Sequence, residues 1–263
     1  MKKVVVFTSD CLRHTALLNS LVKYGYQVVA WIEPRFEKTI ARQLTLPDNS
    51  KRYFQKLNQA EKEIFGQEKN LLPCIKTFLV PFGNINNQYS SEMDTYLDEA
   101  NAVIIFGSSY IKEPLIAKLI AKKAINLHTG ISPQYRGVNC NFWALFDNNP
   151  HLVGATIHLL DRGLDSGDIL KFVHPQYVNG SDLFYFTMSI VKSAHENLIN
   201  FLEKENSLET STIKQNSSEL IRYTRTRDFT EEVATQYFKK EAKLLNNLQK
   251  IKIRKINGSV ASV

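Results

Sequence analysis

The chain of 263 residues carries a net charge of +7, with 43% hydrophobic and 22% charged residues. This composition is typical of a globular protein and excludes a chain that is disordered throughout. No apolar run approaches the roughly 20 residues that cross a membrane, and Val4–Phe7 is too short for a signal peptide. Three widely spaced cysteines predict neither a disulfide framework nor a metal site. We therefore expect a cytoplasmic protein with no membrane partner.

The basic residues are concentrated near the C-terminal end. Residues 239–256 hold seven of them against Glu241 alone, so the rest of the chain is close to neutral. This distribution argues against nucleic acid as a partner of the main body. The apolar residues Leu244, Leu245 and Leu248 of the same segment could form a contact with a second copy of the chain, which would make a homodimer.

The first elements alternate between strand and helix. Lys3–Thr8 and Gln27–Glu33 have the apolar pattern of buried strands. Ser9 and Asp10 are predicted to cap the helix between them, and Gly25 is predicted to end it. A strand, a helix and a second strand within about 30 residues indicate a parallel βαβ unit.

The same alternation continues along the chain and predicts an α/β fold, with a Rossmann-like, doubly wound and mostly parallel sheet. Two later strands, at residues 155–160 and 169–174, are expected to add a hairpin to it. We predict a catalytic domain over residues 1–204. Residues 205–263 are predicted to form a linker and a small, mainly helical C-terminal extension. Further helices are predicted at 51–65, 91–99, 114–122, 182–204 and 228–249, and further strands at 77–80, 102–106 and 124–128.

Side chains suited to catalysis are concentrated between residues 124 and 170. Asn126 and His128 stand two apart at the end of a buried strand, so their side chains share one face. This is the sheet edge at which open α/β folds bind ligands. Asp165 lies in a glycine-flanked turn that can return it to the same edge. An amide, an imidazole and a carboxylate could there stabilise an oxyanion, move a proton and adjust the imidazole pKa.

Other readings of these residues stay open on residue type alone. Each of the three also fits a structural or turn-forming role, and no serine or cysteine stands beside His128 in sequence as a nucleophile. The first βα turn contains no glycine, which argues against a dinucleotide site. Cys11 and His14 could form half of a metal site, but a second pair of ligands is missing, so no metal is predicted.

Four motifs, taken together and in order, resemble the signature of the folate-dependent formyltransferase family. This family includes methionyl-tRNA formyltransferase, glycinamide ribonucleotide formyltransferase and the N-formyltransferases of nucleotide-linked amino sugars. The resemblance implies catalytic roles for Asn126, His128 and Asp165. It also implies N10-formyltetrahydrofolate as the formyl donor. The motifs are NLH (126–128), PQYRG (133–137), WA (143–144) and GLDSGDI (163–169).

The resemblance also implies residues that bind the two substrates. The co-substrate is expected to contact Phe106, Gly107, Ser108, Ser109, Tyr110, Asp161 and Asp165. Candidates for binding the acceptor are Arg13, Arg136 and His158. Arg13 could instead lie on a solvated helix face, Arg136 could brace its loop, and His158 could be a packed structural residue.

Departures from the family pattern favour a small acceptor. The glycine-rich phosphate loop of glycinamide ribonucleotide formyltransferase is missing after the first strand. A short, mainly helical segment follows the linker, where the tRNA enzyme carries a β-barrel. We therefore expect the acceptor to be the amino group of a nucleotide-linked amino sugar. The alternatives are a methionyl-tRNA formyltransferase and a non-catalytic regulator that binds folate or a nucleotide.

Overall fold

The structure is a computed structural model that describes residues 1–35, 44–66, 70–175, 181–204 and 211–256, with side chains described as far as residue 248. The first part of the predicted linker, residues 205–210, lies outside the described residues, and of the basic segment after residue 248 only the backbone is described. The strands are β1 (Lys3–Ser9), β2 (Gln27–Glu33), β3 (Lys76–Leu79), β4 (Ala102–Phe106), β5 (Ile125–His128), β6 (Tyr135–Gly137), β7 (Ala155–Leu159), β8 (Ile169–Val173) and β9 (Arg222–Thr224). The α-helices are α1 (Leu12–Lys23), α2 (Asp48–Phe65), α3 (Ser91–Glu99), α4 (Leu115–Ala121), α5 (Cys140–Phe146), α6 (Leu183–Lys204) and α7 (Glu231–Ile256).

Seven strands form one sheet in the order β3-β2-β1-β4-β5-β7-β8. The strands β1 to β5 pair in parallel, and β7 pairs antiparallel with both β5 and β8. The predicted doubly wound, mostly parallel sheet and its added hairpin are therefore confirmed. None of the helices in the described part of the chain is long and apolar enough to cross a bilayer.

Helices cover both faces of this sheet, which explains why its central strands are apolar on both sides. Val4 and Val6 of β1 face the cluster formed with α1, α2, α5, α6 and α7. Val5 and Phe7 face the opposite cluster, formed with α3 and α4. All four side chains are fully buried.

The predicted capping of α1 by Ser9 and Asp10 is wrong. The N-cap residue is Cys11, which makes no side-chain capping hydrogen bond. The Ser9 hydroxyl lies 2.6 Å from Nδ1 of the buried His14, and Asp10 accepts a hydrogen bond from the Arg35 backbone N–H. Both side chains therefore connect neighbouring segments at the carboxyl edge of the sheet.

A second, two-stranded sheet lies beside the first and was not predicted. The strands β6 and β9 pair in parallel, with Gly137 opposite Thr224. Further upstream, Ile213 exchanges two backbone hydrogen bonds of 2.8 and 2.9 Å with Ile169 of β8. We call residues 211–224 the return segment, because they follow α6 in sequence and pair with the earlier strands β8 and β6.

The C-terminal helix α7 packs into the main hydrophobic core. Tyr237 lies against Tyr53 and Phe142 at ring-centroid distances of 5.6 and 4.9 Å. Leu244 and Leu248 are also part of this core and are almost completely buried. The idea that they face a second copy of the chain is therefore wrong. The described part of the C-terminal extension shares its core with the residues before 205.

Replacing Gly137 by Ala should destabilise the fold more than replacing Gly25 by Ala. Both glycines have positive φ, +98° and +86°, so each substitution costs about 1–2 kcal/mol of backbone strain. A Cβ at Gly25 would meet open space, whereas a Cβ at Gly137 would lie 2.0 Å from the Thr224 carbonyl oxygen. The free energy of unfolding in urea measures both losses. Equal losses would contradict the close packing of β9 on β6.

Candidate active site

The site lies at the carboxyl end of β5, where Asn126 and His128 are placed on one face. The antiparallel pairing of β5 with β7 puts His158 opposite Asn126. The turn between β7 and β8 then returns Asp165 to both β5 residues. The structure thus brings together the three side chains that the sequence selected, although they come from segments that are almost 40 residues apart.

The Asp165 carboxylate is the centre of this group. Oδ1 accepts a hydrogen bond of 3.0 Å from the Asn126 amide, and Oδ2 accepts one of 2.9 Å from the Gly137 backbone N–H. Oδ2 also lies 3.3 Å from Nδ1 of His128. Burial opposes ionisation of Asp165, but His128, His158 and the Gly137 N–H outweigh it and hold the pKa of this carboxyl well below its ordinary value.

The buried His128 ring has an oxygen acceptor at each nitrogen. Nε2 lies 3.0 Å from the Tyr135 carbonyl oxygen, and Nδ1 faces Asp165. Two acceptors fit a ring that carries both protons. Burial lowers the pKa of His128, and the Asp165 carboxylate opposes that decrease. The charge of the ring therefore depends on Asp165.

His158 belongs to the same hydrogen-bond network. Its Nδ1 lies 2.8 Å from the Leu159 carbonyl oxygen and therefore carries the proton, so Nε2 can accept the second N–H of the Asn126 amide at 3.0 Å. The ring is 1% exposed. His158 thus fixes the orientation of Asn126, and its assignment to acceptor binding stays a prediction.

A cysteine that the sequence did not connect with the site lies next to His128. A Cβ at Gly130 would fall 2.4 Å from Cys140 Cβ and 2.6 Å from His128 Nε2, so only glycine allows this approach. Burial raises the pKa of the Cys140 thiol well above its ordinary value. A protonated thiol is a poor nucleophile, and the site gives no support to covalent catalysis through Cys140.

The segment after β4, predicted to contact the co-substrate, is held by a buried glutamate. Glu33, at the end of β2, accepts hydrogen bonds from the backbone N–H groups of Ser109 and Gly83, at 2.6 and 2.8 Å, and from the hydroxyls of Ser108 and Ser109. Gly107 has φ +77°, and a Cβ there would meet the His14 ring at 2.3 Å. Sequence analysis missed Glu33, although a lone charge closing an apolar strand was a usable signal.

The two sets of predicted co-substrate residues lie next to each other. The Tyr110 hydroxyl donates a hydrogen bond of 2.9 Å to the Arg162 carbonyl oxygen, which joins the segment after β4 to the β7–β8 turn. Within that turn the Asp161 carboxylate accepts hydrogen bonds from Ser166 and from the Gly163 N–H. Phe106 is buried at the end of β4, and half of the Tyr110 ring surface stays exposed.

The two arginines predicted to bind the acceptor differ in their partners, one a carboxylate and the other a neutral amide. Arg13 is engaged by the buried Glu61, whose carboxylate accepts from both the Arg13 backbone N–H and its guanidinium, each at 2.9 Å. Arg136 is 8% exposed and donates a 2.8 Å hydrogen bond from Nη2 to the neutral Gln215. In the described part of the chain, Arg136 Nε has no hydrogen-bond partner. No carboxylate of the described residues forms an ion pair with Arg136, whose charge therefore lies beside the site without a described counter-charge.

Metal ligands do not come together in the described ranges. No group of three or more histidine, cysteine, aspartate or glutamate side chains there could hold a metal ion.

Comparison with known proteins identifies the family. The model of the family described as formyl transferase matches residues 2–202. The chain belongs to this family. The match includes β5, the β7–β8 turn and all three residues at the centre of the site.

Curated relatives share part of the chain. A methionyl-tRNA formyltransferase of Campylobacter curvus is 31% identical over 170 residues, which are 65% of this chain and 50% of that protein. A methionyl-tRNA formyltransferase of Desulforamulus reducens is 26% identical over 153 residues, 58% of this chain and 42% of that protein. The matched region thus spans half or less of the length of these relatives.

Solved structures share the fold over most of the chain. A 4-N formyltransferase from Francisella tularensis has a TM-score of 0.55 and 18% identity, covering 90% of this chain and 86% of that one. The N-formyltransferase from Helicobacter canadensis, solved with folinic acid and dTDP-3-aminofucose, has a TM-score of 0.51 and 14% identity, covering 90% and 79%. At these identities the likeness shows the fold alone.

Replacing Asp165 by Asn should lower the pKa of His128. The substitution removes the carboxylate that raises this pKa and leaves the burial that lowers it, so the ring should lose its proton at a lower pH. An NMR titration of the His128 ring measures the shift. Asp161→Asn is the matched control, because Asp161 lies in the same turn but bonds to Ser166 and Gly163. An unchanged His128 pKa in Asp165→Asn would contradict the coupling.

Proposed function

We propose that the protein transfers a formyl group from N10-formyltetrahydrofolate to the amino group of a nucleotide-linked amino sugar. The observation that carries this proposal is the convergence of the Asn126 amide, the His128 ring and the Asp165 carboxylate at the carboxyl edge of the sheet. These three groups supply the hydrogen-bond donors and the base that acyl transfer to an amine requires.

The reaction uses the three groups in distinct roles. Bound N10-formyltetrahydrofolate supplies an activated formyl group, whose carbon the amine attacks. Asn126 and His128 each donate one N–H to the oxygen as its negative charge develops. For this, one Asn126 N–H leaves His158 Nε2 and the His128 Nε2–H leaves the Tyr135 carbonyl oxygen, which are their acceptors in this structure. Asp165 opposes the effect of burial on the His128 pKa, which favours the protonated ring, and it orients that ring or a water that takes the proton lost by the amine. A donor N–H on the imidazolium then returns a proton to the departing nitrogen.

The residues at the sheet edge fit a folate. The segment from Gly107 to Tyr110 is fixed by Glu33 and therefore needs little ordering on binding. The exposed half of the Tyr110 ring offers an aromatic face for stacking beside the β7–β8 turn. The similar protein from Helicobacter canadensis was solved with folinic acid, which supports a folate in this chain.

Charge favours an acceptor that carries phosphate. A buried guanidinium without a carboxylate partner is unfavourable, and an anionic ligand would compensate it. Among the described residues Arg136 is such a group, and its charge adds to burial, the larger cause, in lowering the pKa of the His128 ring. Arg13, by contrast, is neutralised by Glu61. We therefore assign acceptor phosphate binding to Arg136 in preference to Arg13.

A second candidate acceptor is methionyl-tRNA, because the curated relatives are named methionyl-tRNA formyltransferases. In this chain, described residues 211–248 fold as β9 and α7 onto the main core. Outside residues 239–256 the chain is close to neutral, so a long phosphate backbone would meet little net positive charge there. This arrangement supports the smaller acceptor.

Replacing His128 by Ala should lower turnover by about two to four orders of magnitude, since it removes a proton-transfer and oxyanion group. The assay measures tetrahydrofolate release with and without the amine. His151→Ala is the control, because His151 is an exposed histidine away from β5. Amine-dependent release by the wild type separates an enzyme from a folate-binding regulator. A folded His128→Ala variant with normal turnover would refute the mechanism.

A competition between the two acceptors should yield the formylated amino sugar. A nucleoside diphosphate needs one or two cations, so its Michaelis constant should depend weakly on salt. Binding of tRNA through many phosphates would weaken by several powers of the salt concentration. The experiment mixes both acceptors with one donor and resolves the products by mass at several salt concentrations. Preferential formylation of methionyl-tRNA with a steep salt dependence would overturn the acceptor assignment and leave the reaction type intact.

A further inference from the structure

A glutamine of the return segment reaches the catalytic turn. The Gln215 amide nitrogen donates hydrogen bonds to the backbone carbonyl oxygens of Asp165 and Gly167, at 3.0 and 2.7 Å. Its amide oxygen accepts the 2.8 Å hydrogen bond from Arg136 Nη2. One neutral side chain thus connects the turn that carries the catalytic carboxylate with the arginine that follows β5.

These contacts act at a backbone conformation that is uncommon for residues other than glycine. Asp165 has φ +50°, in the left-handed region that side-chain-bearing residues seldom adopt. Such a conformation persists when surrounding contacts determine it. Gln215 supplies two of these contacts from outside the turn, because it holds the carbonyl of Asp165 itself and that of Gly167.

Backbone hydrogen bonds hold the return segment in place both before and after Gln215. Before Gln215, Ile213 exchanges backbone hydrogen bonds with Ile169. After it, the pairing of β9 with β6 puts Thr224 against Gly137, the residue whose N–H binds the Asp165 carboxylate. The segment therefore acts on Asp165 in two ways, directly through the Gln215 amide and indirectly by packing against Gly137.

We propose that Gln215 is a positioning residue, whose amide N–H groups fix the left-handed turn so that the Asp165 carboxylate meets His128 and Asn126. This role rests on the proposed formyl transfer at that site. Without the two N–H donors, the turn can relax toward a more favourable backbone conformation and carry the carboxylate away from the ring. Misplacement by about 1 Å is enough to lower turnover about 100-fold.

Two substitutions separate positioning from packing. Gln215→Ala removes both contacts. Gln215→Glu keeps the size and the acceptor for Arg136 but replaces the N–H donor by an oxygen that faces two carbonyl oxygens. Asn216→Ala is the matched control, since the Asn216 side chain bonds within the return segment, to Ser218 and Glu219.

The measurements are kcat, the pH profile of kcat/KM and the NMR titration of the His128 ring, assigned by its absence in His128→Ala. We expect both Gln215 variants to lose turnover, by up to about 100-fold. The His128 pKa should fall in Gln215→Ala, because the carboxylate that raises it has moved, and the decrease of kcat/KM with rising pH should begin at a lower pH. Gln215→Glu is judged by turnover alone, because its own carboxylate beside Arg136 also acts on the His128 pKa. Asn216→Ala should match the wild type in all three measurements.

Other outcomes would overturn the proposal. Turnover that falls with an unchanged His128 titration would show a structural role alone. A Gln215→Glu variant with wild-type turnover would show that donation to the two carbonyls is not needed. The titration needs no substrate, so it tests Gln215 even if the formyl acceptor is another one. If Gln215→Ala does not fold, the turnover of Gln215→Glu, which preserves the shape, still tests whether donation to the two carbonyls is needed.

Discussion

A carboxylate that is buried away from water needs hydrogen bonds and a balancing charge from the protein. Asp165 recovers them from the Asn126 amide, the Gly137 N–H and the His128 ring, which lie on β5 and on the loop after it. N–H donors of this kind also suit an oxyanion, so under the proposed mechanism the groups that make the buried carboxylate tolerable are also those that stabilise acyl transfer. Stability and chemistry here depend on the same contacts.

This requirement gives a physical reason for the irregular half of the fold. A purely parallel sheet would end at β5 and leave His128 without a carboxylate. The antiparallel β7 and β8 bring the turn with Asp165 back to the edge, and β9 holds Gly137 at the position where its N–H meets that carboxylate. The close approach of the Thr224 carbonyl then requires glycine at residue 137.

The sequence predicted those parts of the molecule that depend on local pattern. Buried strands, the βαβ unit and the shared face of Asn126 and His128 all follow from apolar runs and from the two-residue period of a strand. The pairing of β6 with β9 does not, because three-residue strands that lie more than 80 residues apart carry no periodic signal. Gln215 could not be found for the same reason: its partners are backbone carbonyls, which every residue has.

The charges of buried side chains at the sheet edge bear on the kind of acceptor proposed for the site. Two buried glutamates, Glu33 and Glu61, stand near arginines, at 3.9 Å from Arg35 and 2.9 Å from Arg13. Each glutamate thus lies near the positive charge of an arginine within the protein, without a ligand. Arg136 instead bonds to a neutral amide, which orients a guanidinium but cannot neutralise it. Burial is the main cause that lowers the pKa of His128, and the Arg136 charge adds to it while Asp165 opposes it. An anion bound at Arg136 would remove the added part and so favour the imidazolium. Binding of a phosphate-bearing acceptor would thus help to prepare the ring for catalysis.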